Sequence, residues 1–217
     1  MVEPDLAPLL DEPLPPGEVI HVIDDDEAVR RSLALLLFSA GYKSVTHASA
    51  EGFLNALIVE TAGCAIVDVR MPGMDGLALQ EYLTAHDIHL PVVVVTGHAD
   101  IALAVRAMKA GARDFIEKPY ANERMIEAVR AALESGRADL ARARRGSDAR
   151  ARVSRLSARE RDVLRELVAG RPNKLIAHVL NISPRTVEIH RANMMEKLAV
   201  RSLSEAVRIF IAAGCDG

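Results

Sequence analysis

The stretch "VIHVIDDDEAVRRSL", residues 19–33, sets three adjacent carboxylates, Asp24, Asp25 and Asp26, behind an apolar, β-branched run containing Val19, Ile20, Val22 and Ile23. Like charges repel, and drawing even one carboxylate out of water is costly without a cation or donor beside it. A positive group is therefore expected where this strand ends. Asp26, the last acid before a helical pattern, suits a helix N-cap, which leaves Asp24 and Asp25 for the cation.

Further along, short β-branched runs near 19–24, 43–46, 64–69, 91–96 and 114–116 alternate with helical patterns near 27–40, 50–60, 76–85, 100–110 and 122–134. Gly41 and Gly111 fall where helices would be capped. The run "PVVVVT" is apolar enough to be covered on both sides, so the five-fold repeat predicts a doubly wound α/β domain with a five-stranded parallel sheet over residues 18–135.

Residues 1–17 hold five prolines and no periodicity, and are expected to be a disordered tail. Residues 136–153 are rich in Arg and Ala and read as a solvated helical linker. From 154 to 217 the pattern is wholly helical. Ser157 and Glu160 form a capping-box pair, Gly170 closes that helix, and "NKLIAHVL", the turn "NIS" and "PRTVEIHRANMMEKL" give two helices in tight succession, with Pro184 in a first turn. A last helix near 203–213 completes a small all-α, four-helix, helix-turn-helix domain.

The 217 residues suit two domains. Cys64 and Cys215 lie far apart without C-x-x-C spacing, so neither a disulfide framework nor a zinc site is supported. The sequence lacks an apolar run of about 18 to 20 uncharged residues, so no membrane partner and a cytoplasmic location are expected. The net charge of -3 conceals an asymmetry: residues 1–136 carry 10 Lys and Arg against 21 Asp and Glu, whereas residues 137–217 carry 17 against 9. A basic half points to a polyanion such as nucleic acid.

In a doubly wound sheet, functional groups gather beyond the carboxyl ends of the strands. Those ends hold Asp24 and Asp25, Asp68 in "AIVDVRMPGMDG", Thr96, and Lys118 in "FIEKP". Hard oxygen donors of this kind suit Mg²⁺, which takes one or two carboxylates, a carbonyl and retained waters. Asp75 reads as part of a turn and helix start, outside this set.

In their order and spacing, "DDDE", "VDVRMPGMDG", "VTGHAD" and "FIEKP" resemble the receiver domain of bacterial two-component response regulators, a flavodoxin-like fold, over residues 18 to 135. The resemblance implies a sensor histidine kinase as phosphodonor and Asp68 as acceptor. It places Asp24, Asp25, Asp68 and the carbonyl of Arg70 around Mg²⁺, with Thr96 and Lys118 on phosphoryl oxygens, Phe115 as a ring that moves with Thr96, and a cis Lys118-Pro119 peptide. The surface from 99 to 110 and from 114 to 119 is most similar to the FixJ subfamily, which implies homodimerisation on phosphorylation. Ile101, Val105 and Met108 are candidate contacts, although an amphipathic helix packed on its own sheet predicts such residues too.

The stretch 154–213 is similar to the LuxR/FixJ type of DNA-binding domain, carried by "LSARERDVLRELVAG", "NKLIAHVLNISPRTVEIHRANMMEKL" and "RSLSEAVRI". The sequence departs from the pattern at His178 and Val179, where polar residues are expected. A helix-turn-helix lays its second helix in the major groove of double-stranded promoter DNA. There Ile182, Val187, Met194 and Leu198 read as core. Arg185, Glu188 and Arg191 are candidate base-reading residues, Lys174, His190 and Lys197 candidate phosphate contacts, and Thr186 and Asn193 further groove candidates. Leu203, Val207 and Phe210 are candidates for a second dimer contact, and Glu160 and Arg161 read as solvated helix charges. By the same resemblance RNA polymerase is a further partner and activation the default outcome.

Two other readings stay open on sequence: a Mg²⁺-dependent phosphohydrolase, which needs a second acid two residues after the nucleophile where this chain has Arg70, and a receiver that takes no phosphate and only binds protein.

Overall fold

A computed structural model describes residues 18–57, 62–97 and 101–214. The expected disordered tail, 1–17, lies outside them, as do the end of the second expected helix and part of "GHAD". The chain divides into two compact units, 1–140 and 141–217.

In the first unit, strands β1 (Val19–Ile23), β2 (Ser44–His47), β3 (Gly63–Asp68), β4 (Val92–Thr96) and β5 (Asp114–Glu117) form one parallel sheet in the order β2-β1-β3-β4-β5. Helices α1 (Glu27–Ser39), α2 (Ala50–Ala56), α3 (Gly76–Ala85), α4 (Ile101–Lys109) and the first part of α5 (Asn122–Ser154) follow the strands in turn. Every residue of β3 and β4 is buried, as a sheet covered on both faces requires. Alternate side chains of one strand feed two cores. Ile20, Val22, Ile66, Val93 and Val95 pack with Leu33 and Leu37 of α1 and Met125 and Val129 of α5; Ile23, Val67, Val92 and Val94 pack with Phe53 of α2 and Leu79 and Leu83 of α3. Because strand order reverses beside β1, the carboxyl ends of β1 and β3 open a crevice.

The helix expected to stop near 134 continues to Ser154, through the expected linker. Arg137 holds its first part down with a forked pair to the buried carboxylate of Glu18, at 2.7 and 2.9 Å. Its last turns are not a solvated connector. Ala149 and Val153 are buried in the core of the second unit, and Gly146 passes so near the last helix that an added Cβ would sit 3.4 Å from the carbonyl of Ala212.

That second unit adds α6 (Ala158–Val168), α7 (Asn173–Leu180), α8 (Pro184–Lys197) and α9 (Leu203–Ala212). Ser157 and Glu160 form the predicted capping box, Asn181 closes α7 in the left-handed conformation, and Ser183 caps α8 with Pro184 following. Val163, Leu164, Ile176, Val187, Met194, Leu198 and Phe210 fill its core. Among the described residues no helix is long and apolar enough to cross a membrane.

Candidate functional site

The acidic crevice is built by strand ends. β1 delivers Asp24, buried at 3% exposure, and β3 delivers Asp68, also buried. Hydrogen bonds fix both: the Asp24 carbonyl accepts from the Arg30 side chain, Nη1, at 2.7 Å, Asp24 N–H donates to the His47 carbonyl at 3.2 Å, and Asp68 Oδ2 accepts from Arg70 N–H at 2.7 Å. Asp26 leaves the crevice to cap α1, accepting from the amides of Ala28 and Val29, and Asp75 caps α3 from the amide of Ala78. Asp25 is exposed at the rim.

Lys118 supplies positive charge to the two buried acids of the crevice, Asp24 and Asp68. Its Nζ lies 2.8 Å from Asp24 Oδ2 and 2.7 Å from Asp68 Oδ1. Burial alone would lower the ammonium pKa, but hydrogen bonds and charge from the two carboxylates outweigh it and hold the pKa above the usual lysine value. Lys118 N–H donates to the Thr96 carbonyl at 2.7 Å, and the next peptide, Lys118-Pro119, is cis. Thr96 is fully buried, and Phe115 is half-buried against the core under α3 and α4. Tyr120 also feels the site: burial, together with the charges of Asp24 and Asp68 and against that of Lys118, raises its phenol pKa.

One lysine offsets one of the three carboxylates, Asp24, Asp25 and Asp68, so the crevice keeps an excess of negative charge and oxygen donors. Among the described residues no three His, Cys, Asp or Glu side chains close round a single point. A hydrated Mg²⁺ needs no such cage, since one or two carboxylates and a carbonyl suffice, and the donor set present fits it.

Gly76 was not singled out on sequence. Its amide donates to the Val69 carbonyl, and a Cβ there would stand 2.2 Å from the Asp68 carbonyl oxygen, so only glycine lets α3 begin against the acidic strand end. On α4, Leu103 and Ala107 pack inward while Ile101, Val105 and Met108 are exposed, which rules out packing on their own sheet as the account of these three.

In the second unit several expectations need correction. Lys197 does not project freely as a phosphate contact, because its ammonium sits 2.7 and 2.8 Å from the carboxylate oxygens of Glu160. Glu160 is not a solvated charge: it is buried, and it also accepts from the Ser157 amide at 2.7 Å. Burial would raise its pKa, and Lys197 with Ser157 more than reverses this, holding the carboxyl below the usual range. Arg161 is exposed as expected. Phe210 is a core residue and Leu203 packs against that core, so neither offers a free dimer face; Val207 is half-buried.

Along α8, Arg185, Glu188 and Asn193 are exposed. Thr186 is bound to the Ser183 cap, its Oγ1 at 2.8 Å from Ser183 Oγ, and Arg191 Nη1 reaches across to Asn173 Oδ1 of α7 at 2.5 Å. His190 is half-buried and Lys174 exposed. Ile189, which the sequence reading left out, is 53% exposed. Its signal was its spacing: it stands four residues after Arg185, on the side opposite Val187 and Met194. The departure at His178 and Val179 falls on exposed positions of α7.

These two sites find their counterparts among known proteins. The response regulator receiver domain matches residues 20–130, and the luxR family of bacterial regulatory proteins matches residues 154–210. The transcriptional regulatory protein FixJ of Azorhizobium caulinodans is 50% identical over 205 residues, 93% of this chain and 95% of its own. The chain belongs to the FixJ family of two-component response regulators. TodT of Pseudomonas putida, a response regulator protein, is 41% identical over 89% of this chain and 85% of its own. Among solved structures, the response regulator StyR superposes with a TM-score of 0.75 at 41% identity, covering 90% of this chain and 98% of that one, and full-length FixJ from B. japonicum with 0.56 at 45% identity, covering 91% and 98%. The FixJ-type chain described here is thus a DNA-binding transcriptional regulator rather than an enzyme, and its receiver implies a sensor kinase as partner.

Proposed function

We propose that Asp68 accepts a phosphoryl group from a sensor histidine kinase, that Asp24, Asp25, Asp68 and the Arg70 carbonyl hold Mg²⁺ while it does so, and that the modified receiver pairs with a second copy through Ile101, Val105 and Met108. The observation that carries this is the double contact of Lys118 with Asp24 and Asp68. An ammonium in that position pairs with the Asp68 carboxylate and stands ready to neutralise an incoming phosphoryl oxygen. Mg²⁺, when bound, supplies further Lewis-acid neutralisation of the transferred group.

Thr96, buried beside β5, would turn its hydroxyl to the new oxygens, and Phe115 would follow into the space it leaves. The added charge of about -1.5 to -2 supplies the drive. Pairing of receivers brings two DNA-binding domains to one roughly palindromic site and raises their effective concentration there, with activation of transcription as the outcome and RNA polymerase as a further partner. Arg185, Glu188, Ile189 and Asn193 are the exposed α8 side chains suited to base edges.

Incubation with acetyl phosphate and Mg²⁺ should label the wild-type chain, shift it from monomer to dimer and tighten its DNA binding. Asp68→Asn should lose all three responses. Full phosphate-dependent binding by that variant would refute Asp68 as acceptor.

A further inference from the structure

The last turns of α5 carry more basic charge than their own packing uses. Gly146, Ala149 and Val153 are buried and fix this stretch within the DNA-binding unit. On the flank beside them, Arg152 Nη1 lies 3.4 Å from the carbonyl of Leu198, the residue that ends α8. At 3.6 residues per turn, Arg145 (seven before) shares that flank with Arg152, and Arg155 follows in the turn just past the end of α5, its amide donating to the Arg152 carbonyl at 3.2 Å. Asp148 lies there too and pairs with Arg152 at 2.9 Å. Arg152 thus has structural work, offsetting the negative end of the α8 dipole. Arg145 and Arg155 are exposed, with no carboxylate set against them among the described residues.

We propose that Arg145 and Arg155 form a second contact with the DNA phosphate backbone, a basic rail about 15 Å long beside the end of α8. This rests on the DNA-binding reading of the second unit and adds an element outside its helix-turn-helix. A free-floating arginine-rich linker would be an ordinary solvated charge run; this one is anchored by buried residues, so its guanidinium groups are presented from a fixed place. Such a rail adds affinity for any duplex and no sequence preference, because phosphates carry none.

The test uses the full-length, acetyl-phosphate-treated chain and two duplexes: one selected from a random pool by the wild-type protein, and a scrambled version of it. Each phosphate contact contributes about 0.9 to the slope of log affinity against log salt. Arg145→Gln with Arg155→Gln should lower that slope by about 1.8 on both duplexes, so that the affinity gap to wild type narrows roughly tenfold between about 50 and 200 mM salt, while the preference for the selected duplex is kept. Arg145→Lys with Arg155→Lys should keep the wild-type slope. An unchanged slope in the glutamine variant, or a loss confined to the selected duplex, would overturn the rail. Wild-type chain that selects no duplex would overturn the DNA-binding reading itself, and the rail with it.

Discussion

Lys197 of α8 holds both carboxylate oxygens of Glu160, a buried residue at the start of α6. The pair ties the far end of the recognition helix to the first turn of the domain, while Glu160 also caps that turn through Ser157. Glu160→Gln should therefore destabilise the second unit by about 2 kcal/mol, since it removes charge-assisted hydrogen bonds from a buried acceptor. The folded pKa of Glu160 is depressed, so its stabilisation is present above the ordinary glutamate pKa and lost as pH falls through the lowered value. Denaturant titrations at pH 7 and pH 3.5 check this: the wild-type advantage over Glu160→Gln should shrink at the lower pH. Lys197→Gln should leave the salt dependence of DNA binding unchanged, which separates a positioning lysine from a phosphate contact.

Beneath α2, His21 and His47 place ring nitrogens 3.1 Å apart, both rings edge-on to Phe53, with His21 Nε2 buried and without a partner among the described residues. Desolvation, with a smaller contribution from His47, lowers the His21 pKa to about 4. The unfolded chain takes up that proton near pH 6.5 and the folded chain does not, so acidification from 6.5 toward 4 favours unfolding. The lowering from 6.5 to about 4 makes the full loss on the order of 3 kcal/mol. Urea unfolding at pH 7.0 and pH 5.0 should show it, and His21→Leu with His47→Leu should flatten that difference. An equally steep loss in the double variant would assign the acid sensitivity elsewhere.

Gly76 fixes how near α3 comes to the Asp68 strand end. Ala at this position would put a methyl group 2.2 Å from the Asp68 carbonyl oxygen and 3.0 Å from Val67 Cγ1, both in a buried, close-packed layer. Gly76→Ala should lower stability by roughly 2 to 4 kcal/mol and slow acetyl-phosphate labelling even where the chain stays folded, because the displaced backbone carries the acceptor. Thermal melts and a labelling time course read the two effects apart. Wild-type labelling with reduced stability would mean that the strain relaxes into α3 and leaves Asp68 in place.

How much of this was written in the sequence follows the range of the interactions. Strand ends, caps and the Asp24, Asp68, Thr96 and Lys118 set were legible because apolar period, turn chemistry and strand–helix alternation are local or repeat along the chain. Asp26 could be set aside as a cap on the same grounds. Side chains whose fate depends on a partner far along the chain were misread: Glu160 and Lys197 are 37 residues apart, and charge alone made one a solvated acid and the other a phosphate ligand. Phe210 was offered as an interface for the same reason, since a helical apolar stripe does not say whether its own unit or a second copy covers it. The end of α5 was misjudged because Gly146 and Ala149 bury little side chain and leave a faint periodicity.

Ile189 gives the sharpest test of which α8 face meets DNA. Arg185, Glu188 and Ile189 occupy one exposed side, whereas Arg191 is drawn back to Asn173 and Thr186 to Ser183. An exposed branched apolar side chain between charged neighbours suits contact with a thymine methyl in the major groove. Selection from a random duplex pool should then yield different sites for Ile189→Ala and wild type, with relaxed preference at one A·T pair and a loss of about 1 kcal/mol there. Arg185→Ala should relax a different position by about 1 to 3 kcal/mol. Arg191→Ala should act otherwise: with its bridge to α7 gone, affinity should fall on every duplex and the melting temperature with it, while acetyl-phosphate labelling persists. If Arg191→Ala instead changed the selected sequence and left the melt untouched, the reading face would lie about half a turn round the helix from Ile189, and the groove assignment would have to rotate with it.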